Sequence, residues 1–222
     1  CDEKHNPVGE VMPYYGSFNT SKKILNEIEW KKENKKLVWQ QIVKYKIHNQ
    51  AMLLKKLSIN GYEKILGYEN EVEIDDKTNR EGHAAKVYFN LLFGNEFIRG
   101  ESNNINAALD YGYSILLSAI NREVTCKGYI TQIGINHKNE FNQFNLSCDL
   151  IEPFRPLIDE IVYNNKSNEF NKEFKYELIN VLNNKIVIDA KEQYVSNGIS
   201  IFVQSVFNAL ENLESKILNY EI

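Results

Sequence analysis

Cysteine is scarce in this chain: Cys1, Cys126 and Cys148 make an odd number, with no Cys-x-x-Cys spacing. That excludes a disulfide framework and a zinc knuckle, and leaves thiols expected to be reduced, two of them in the core. No apolar run is long enough to span a bilayer and no signal-peptide pattern is present, so a cytoplasmic protein with no membrane partner is expected. Neither a Gly-x-Ser-x-Gly elbow nor a phosphate-cradling glycine loop occurs, which removes support for a serine hydrolase or a nucleotide-binding fold. An excess of positive charge is missing too, because 26 Lys and Arg stand against 30 Asp and Glu, a formal net charge of −4. Phosphate binding draws on local Lys and Arg, so the total argues weakly against nucleic acid. It does not say whether one face is basic, and a bound cation would add positive charge where it sits.

What is present is an ordinary globular composition, with 43% hydrophobic and 25% charged residues over a length of 222. That length suits one large domain, or one domain with a small appendage, and no internal repeat is visible. Residues 1–20 hold two of the four prolines and the turn-like Tyr14-Tyr15-Gly16-Ser17, and read as a linker. Within it, Cys1-Asp2-Glu3-Lys4-His5-Asn6-Pro7 reads as the exit from an apolar strand, which carries the expectation that the chain is a fragment. Residues 21–222 are expected to form a mainly α domain.

The helical reading rests on spacing. From Ile24 to Leu57, apolar residues recur at three and four, interrupted by the polar stretch Lys31 to Lys36, so two helices or one broken helix are expected, with Thr20 or Ser21 as cap. The lysines of that stretch fit a solvated face better than a DNA footprint. A short helix over Tyr62 to Leu66 and an acidic loop over Glu71 to Asp76 follow. Thr78-x-x-Glu81 fits a capping box ahead of an inward stripe of Ala84, Ala85, Tyr88, Leu91 and Leu92, ending at Gly94. A helix from Asn104 to Arg122 carries Gly112 on its apolar side, where another helix would approach closely. Ser147 is placed to cap a helix whose early turns hold Pro153 and Pro156, predicting an irregular start. Residues 171–183 read as a helix, 185–195 as a short hairpin, and Ile199 to Leu218 as a final amphipathic helix.

Four separated residues have the chemistry of metal ligands: Glu81, His137, Asp149 and Glu152. Carboxylates with an imidazole suit a hard or borderline divalent ion such as Mg²⁺ or Mn²⁺, and that chemistry serves phosphodiester cleavage or transfer. Each has a duller reading beside it. The capping box is the structural alternative for Glu81, although its phase with Ala84, Ala85 and Tyr88 turns it toward the buried side, where an unpaired charge is costly. His137 follows Gly134-Ile135-Asn136 in a loop and could be a surface residue. Asp149 and Glu152 share one helix face and repel unless a cation lies between them, and Arg155, three residues past Glu152, competes for that place in a plain surface pair. His5, His48 and His83 have no partners at recognisable spacing.

Taken in order, Glu81-Gly-His-Ala-Ala-Lys-x-Tyr-Phe89, Asn106-x-x-Leu-Asp-Tyr-Gly-Tyr113, Gly134-x-x-His137 and Asp149-Leu-Ile-Glu-Pro-Phe-Arg-Pro156 strongly resemble the CRISPR adaptation integrases, which insert new spacers into a CRISPR array. The resemblance covers about residues 80 to 160, and its wording is most similar to the type II branch. It implies a helical catalytic domain behind a small N-terminal β-domain, nearly all of which this chain would lack, with Cys1 to Pro7 as its last strand's tail. It implies a metal, Mg²⁺ or Mn²⁺, held by Glu81, His137 and Glu152, with Asp149 in support and Glu152 standing where many relatives have Asp. Lys86, Arg155 and Arg80 fall at or beside basic positions expected to face DNA, with a solvated helix residue as the duller reading of Lys86. The implied partners are prespacer and repeat DNA, a second copy in the full-length protein, and a small ferredoxin-like adaptation protein. The competing reading is a non-catalytic DNA-binding scaffold that kept the helical fold, and a third is a helical interaction module with surface ion pairs.

Overall fold

The structure, a computed structural model, describes residues 20–221 together with Glu3 and Gly9. Apart from those two residues, the linker expected before residue 20, with its strand tail and tyrosine turn, lies outside the described residues. So does any cap of the first helix, α1 (Thr20–Ile28). The chain then breaks over 29–31, where Trp30 turns inward beside Tyr129 and Phe207, and resumes as α2 (Lys32–Lys56). The broken-helix reading therefore holds. Helix α2 is apolar on more than one side, with Val38, Trp39, Ile42, Val43, Ile47, Leu53 and Leu54 all buried, and such a helix belongs in the middle of a domain. It packs against five other helices and two 3₁₀ turns.

Helix α3 (Tyr62–Asn70) runs four residues beyond the expected end, and the acidic stretch after it closes in a 3₁₀ turn at Ile74–Asp76 rather than remaining a loop. Helix α4 (Arg80–Phe93) is not capped by Thr78. Asn79 takes the cap in the left-handed region, at φ 51°, and its side chain accepts from the Gly82 N–H. Asp76 accepts from the N–H groups of Arg80 and Glu81 at 2.8 and 3.1 Å. Asn tolerates φ above zero better than Thr, so the cap moves one residue on and Glu81 is released from the capping-box role.

Helix α5 (Asn104–Cys126) is capped by Asn103, and α7 (Arg155–Asn164) comes close to it at Gly112: a Cβ there would sit 2.5 Å from Ile158 Cγ2. Helix α6 (Asn145–Leu150) leads through a 3₁₀ turn (Glu152–Phe154) into α7, the irregular start that Pro153 and Pro156 foretell. Ser147 does not cap it. Ser147 lies inside α6, fully buried, and its Oγ has no hydrogen-bond partner. Neither described cysteine is core: Cys126 is exposed at the solvent-facing end of α5, and Cys148 is half-buried beside Asn142.

Helix α8 (Lys172–Ile179) continues as a 3₁₀ turn to Asn183, and the expected hairpin follows as β1 (Lys185–Ile188) and β2 (Lys191–Tyr194). Its two-residue turn, Asp189-Ala190, has φ of 52° and 57°, the positive values a tight hairpin needs. Helix α9 (Val195–Glu211) stops seven residues short of Leu218, because Tyr220–Glu221 forms a third strand, β3, antiparallel to β1. The sheet order is β2-β1-β3, a small appendage on a helical core. No helix among the described residues is long and apolar enough to cross a membrane.

Candidate metal centre

The centre is assembled from four segments. Helix α2 supplies Lys46, the first turn of α4 supplies Glu81, the turn before α7 supplies Glu152, and α7 opens with Arg155. Lys46 continues the row Val38, Ile42 along the buried face of α2, and is only 7% exposed. Its ammonium lies 2.5 Å from Glu81 Oε1 and pairs with Glu152 Oε2 as well. Arg155 takes the other oxygen of Glu152, donating to Oε1 from Nε at 3.0 Å and Nη2 at 2.9 Å. The Glu152–Arg155 pair foreseen as a surface contact is therefore formed, but on a carboxylate that is buried. Burial opposes ionisation of Glu152, yet Arg155 and Lys46 outweigh it and hold the carboxyl down at about 2. Burial likewise works against the charge on Lys46, and Glu152 and Glu81 more than restore it, leaving its pKa raised.

His137 is presented by the loop between α5 and α6. Asp149, fully buried in α6, accepts the backbone N–H groups of Ile135, Asn136 and His137, and its Oδ1 lies 2.6 Å from the His137 Nδ1. The loop closes so tightly that a Cβ on Gly134 would sit 2.3 Å from the His137 carbonyl oxygen. A carboxylate acceptor at Nδ1 fixes the tautomer and leaves Nε2 as the ring's free ligand position. The hydrogen bond from Asp149 raises the His137 pKa against the effect of burial, and the negative charges of Glu152 and Glu81 add to it.

Of the residues singled out in the sequence, Glu81, Glu152 and Arg155 meet, and His137 and Asp149 form a second pair within electrostatic reach of them. Asp149 faces the loop rather than the carboxylates. Arg80 turns the other way, ion-pairing with Glu71 at 3.1 Å, while Lys86 stands exposed on α4. The missed residue is Lys46. Its signal was present, as a lysine in the buried i, i+4 row of α2. Also missed was Asp159, buried in α7, which accepts from the hydroxyls of Tyr88, at 2.8 Å, and Tyr113.

The residues present suit a divalent ion in their chemistry. Two carboxylates from distant segments converge on one cation position, and Glu152 Oε2, buried, faces it without an aligned hydrogen bond. With the His137 Nε2, the donor set is oxygen and imidazole nitrogen, the set that hard and borderline ions take. Among the described residues no three His, Cys, Asp or Glu side chains close into a cage, for Lys46 lies between the two carboxylates and Asp149 is engaged by the loop.

The arrangement of helices is shared with proteins of known structure. A casposase bound to integration product superposes with a TM-score of 0.80 over 98% of this chain and 72% of that one, at 20% identity. A complex described as Cas6-RT-Cas1–Cas2 gives 0.75 over 99% of this chain and 29% of that one, also at 20% identity. These likenesses define the class, a mainly helical domain of that fold. The family follows from the sequence: the model of "CRISPR associated protein Cas1" matches residues 1–190, and the chain belongs to that family. A CRISPR-associated endonuclease Cas1 of Neisseria meningitidis serogroup C is 39% identical over 161 residues, which are 72% of this chain and 53% of that protein. The chain spans about half the length of two curated relatives, 53% of the Neisseria protein and 44% of a CRISPR-associated endonuclease Cas1 of Francisella tularensis subsp. novicida.

Proposed function

We propose that this chain is the catalytic domain of a metal-dependent DNA integrase and endonuclease of CRISPR adaptation, on the type II-like branch. The observation that carries the reading is the convergence of Glu81 and Glu152 on one cation position, with His137 held beside them by Asp149. In the reaction, a DNA 3′-hydroxyl attacks a phosphodiester at the repeat boundary, a new phosphorus–oxygen bond forms, and the old 3′-oxygen leaves and takes up the proton. One phosphodiester replaces another, so no other reactant is consumed; water as nucleophile gives strand cleavage instead. A bound Mg²⁺ or Mn²⁺ would supply Lewis acidity at the phosphate and at the leaving alkoxide. Glu81, Glu152 and the His137 Nε2 would hold it, and Asp149 would orient the imidazole. Arg155 fixes Glu152 in place and leaves Lys86, exposed on α4, as the freer cation for DNA phosphates. DNA, a second copy of the chain and a small ferredoxin-like partner belong to this reading of the full-length protein.

The alternative is a non-catalytic DNA-binding scaffold, and one observation favours it: the cation position is taken by a lysine of the chain itself. The two readings part on turnover. Strand transfer of a branched DNA substrate by the full-length protein, with Mn²⁺ and then with chelator, should depend on the metal. Glu81→Ala, His137→Ala and Glu152→Ala should each abolish it while circular dichroism stays unchanged. Two of the three variants integrating normally would place the chemistry elsewhere, and metal-independent DNA binding without turnover would favour the scaffold.

A further inference from the structure

The carboxylates Glu81 and Glu152 are bridged by Lys46, whose side chain is 8% exposed, and the burial of that ammonium needs a reason. An ammonium inside an apolar helix face is expensive unless paired, and a hydrophobic residue of similar volume often serves stability better. Neutralising Glu152 does not require Lys46, since Arg155 already engages that carboxylate through two nitrogens and lies over the Tyr113 ring, 4.5 Å from its centroid. What Lys46 adds is the bridge to Glu81. The two cations also differ in freedom. Arg155 is pinned by its planar fork and by the ring beneath it, whereas a lysine is a point charge on a flexible four-carbon stem. Beside Lys46 lies a cavity of about 240 Å³, lined also by Gln50, Phe89 and Arg99, into which that stem has room to swing.

We infer that Lys46 is the resident counter-ion of this site: it holds Glu81 and Glu152 together before a divalent ion arrives, and it competes with that ion for them. The inference rests on Glu81 and Glu152 being ligands. It gives Lys46 a positioning role, as a cation that bridges two acidic side chains from distant segments. It also means that the ion enters by exchanging one cation for another, so the affinity measured for the wild type is reduced by the work of displacing the ammonium.

The test is Mn²⁺ titration by calorimetry on the full chain, with thermal unfolding in parallel, comparing wild type with Lys46→Met and Lys46→Gln. Met keeps the length and apolar stem, and Gln keeps a polar tip, so the two variants test the same charge removal through different side chains. Either variant is expected to bind Mn²⁺ on the order of tenfold more tightly than wild type. Either should also melt lower without metal, from unscreened repulsion between the carboxylates, and gain more on adding Mn²⁺. Affinity equal to or weaker than wild type in both would overturn the inference, making Lys46 a plain structural ion pair and leaving the ligand assignment standing. Absence of Mn²⁺ binding in all three proteins, with and without DNA, would remove the ligand assignment and this inference with it.

Discussion

Asp149 grips His137 at two points, through the imidazole Nδ1 at 2.6 Å and the backbone N–H at 3.1 Å, and so fixes both where the residue sits and how its ring is turned. The same carboxylate accepts from Ile135 and Asn136, so one buried side chain organises the whole turn. Asp149→Asn keeps the shape but sets a donor where several donors already point. Lost charge-assisted bonds to buried groups of this kind cost about 1.5–3 kcal/mol. The His137 titration should also move down, because the hydrogen bond with Asp149 is the leading cause of its raised pKa. The sign follows directly. A histidine whose folded pKa is raised adds stability below the unfolded value of about 6.5, and that stability is lost as pH rises through the folded value. Proton NMR titration of the imidazole, with urea unfolding at pH 6 and pH 9, checks both effects. An unchanged His137 midpoint in the variant would refute the link.

Gly112 and Ile158 mark a close approach of α5 to α7, and α7 opens with the Arg155 that steadies Glu152. Gly112→Ala gains about 1 kcal/mol of helix propensity. Against that, its methyl would sit 2.5 Å from Ile158 Cγ2, and overpacking typically costs about 1–3 kcal/mol. The clash is with a branched carbon rather than a flexible tip, so net destabilisation is expected. Ile158→Ala removes the obstructing carbon, and the double variant should lose less than the sum of the singles. A double-mutant cycle by urea denaturation reads that coupling directly. Additive losses would mean that α7 shifts freely and that the approach is not tight.

The helices were legible because their signal is local. Apolar spacing of three and four gave α2, α4 and α5, and the prolines gave the broken entry to α7. Two kinds of feature stayed hidden. One was competition between neighbours for the same role: Thr78 fits the capping pattern, but Asn79 enters the left-handed region more readily and Asp76 reaches two N–H groups from further back. The other was long-range pairing. Nothing local tells Leu213, Ile217 and Leu218 to leave a helical pattern. Tyr220 pairs with Ile188 and donates its hydroxyl to the Pro153 carbonyl, while the Leu218 N–H donates to Ser205, and these distant partners draw the segment into β3. At the candidate site, Glu81, His137, Asp149, Glu152 and Arg155 were singled out by motif order. Lys46 was visible only as a lysine out of keeping with its apolar row, which spacing flags but does not explain.

The last such oddity is Glu27, fully buried in α1. Its Oε2 accepts the Ile130 N–H at 2.9 Å, and its Oε1 has no hydrogen-bond partner. Burial pushes its carboxyl from 4.5 up to about 7, with the Ile130 hydrogen bond and the Lys35 charge offsetting only part of the effect. Because the folded pKa is raised, the folded chain keeps a proton that the unfolded chain releases at lower pH. The resulting stability is complete below about pH 4.5 and is lost by degrees as pH rises to about 7. Glu27→Gln keeps an acceptor for Ile130 and removes the buried charge, so it should be more stable than wild type at pH 8 by about 1 kcal/mol. At pH 4, where the wild-type carboxyl is already neutral, the advantage should vanish. Urea midpoints at the two pH values decide the matter. A variant that tracks wild type at both would show that the Glu27 carboxylate is satisfied when ionised. A gain that persists at pH 4 would place its origin in packing between α1 and the turn at Ile130 rather than in charge.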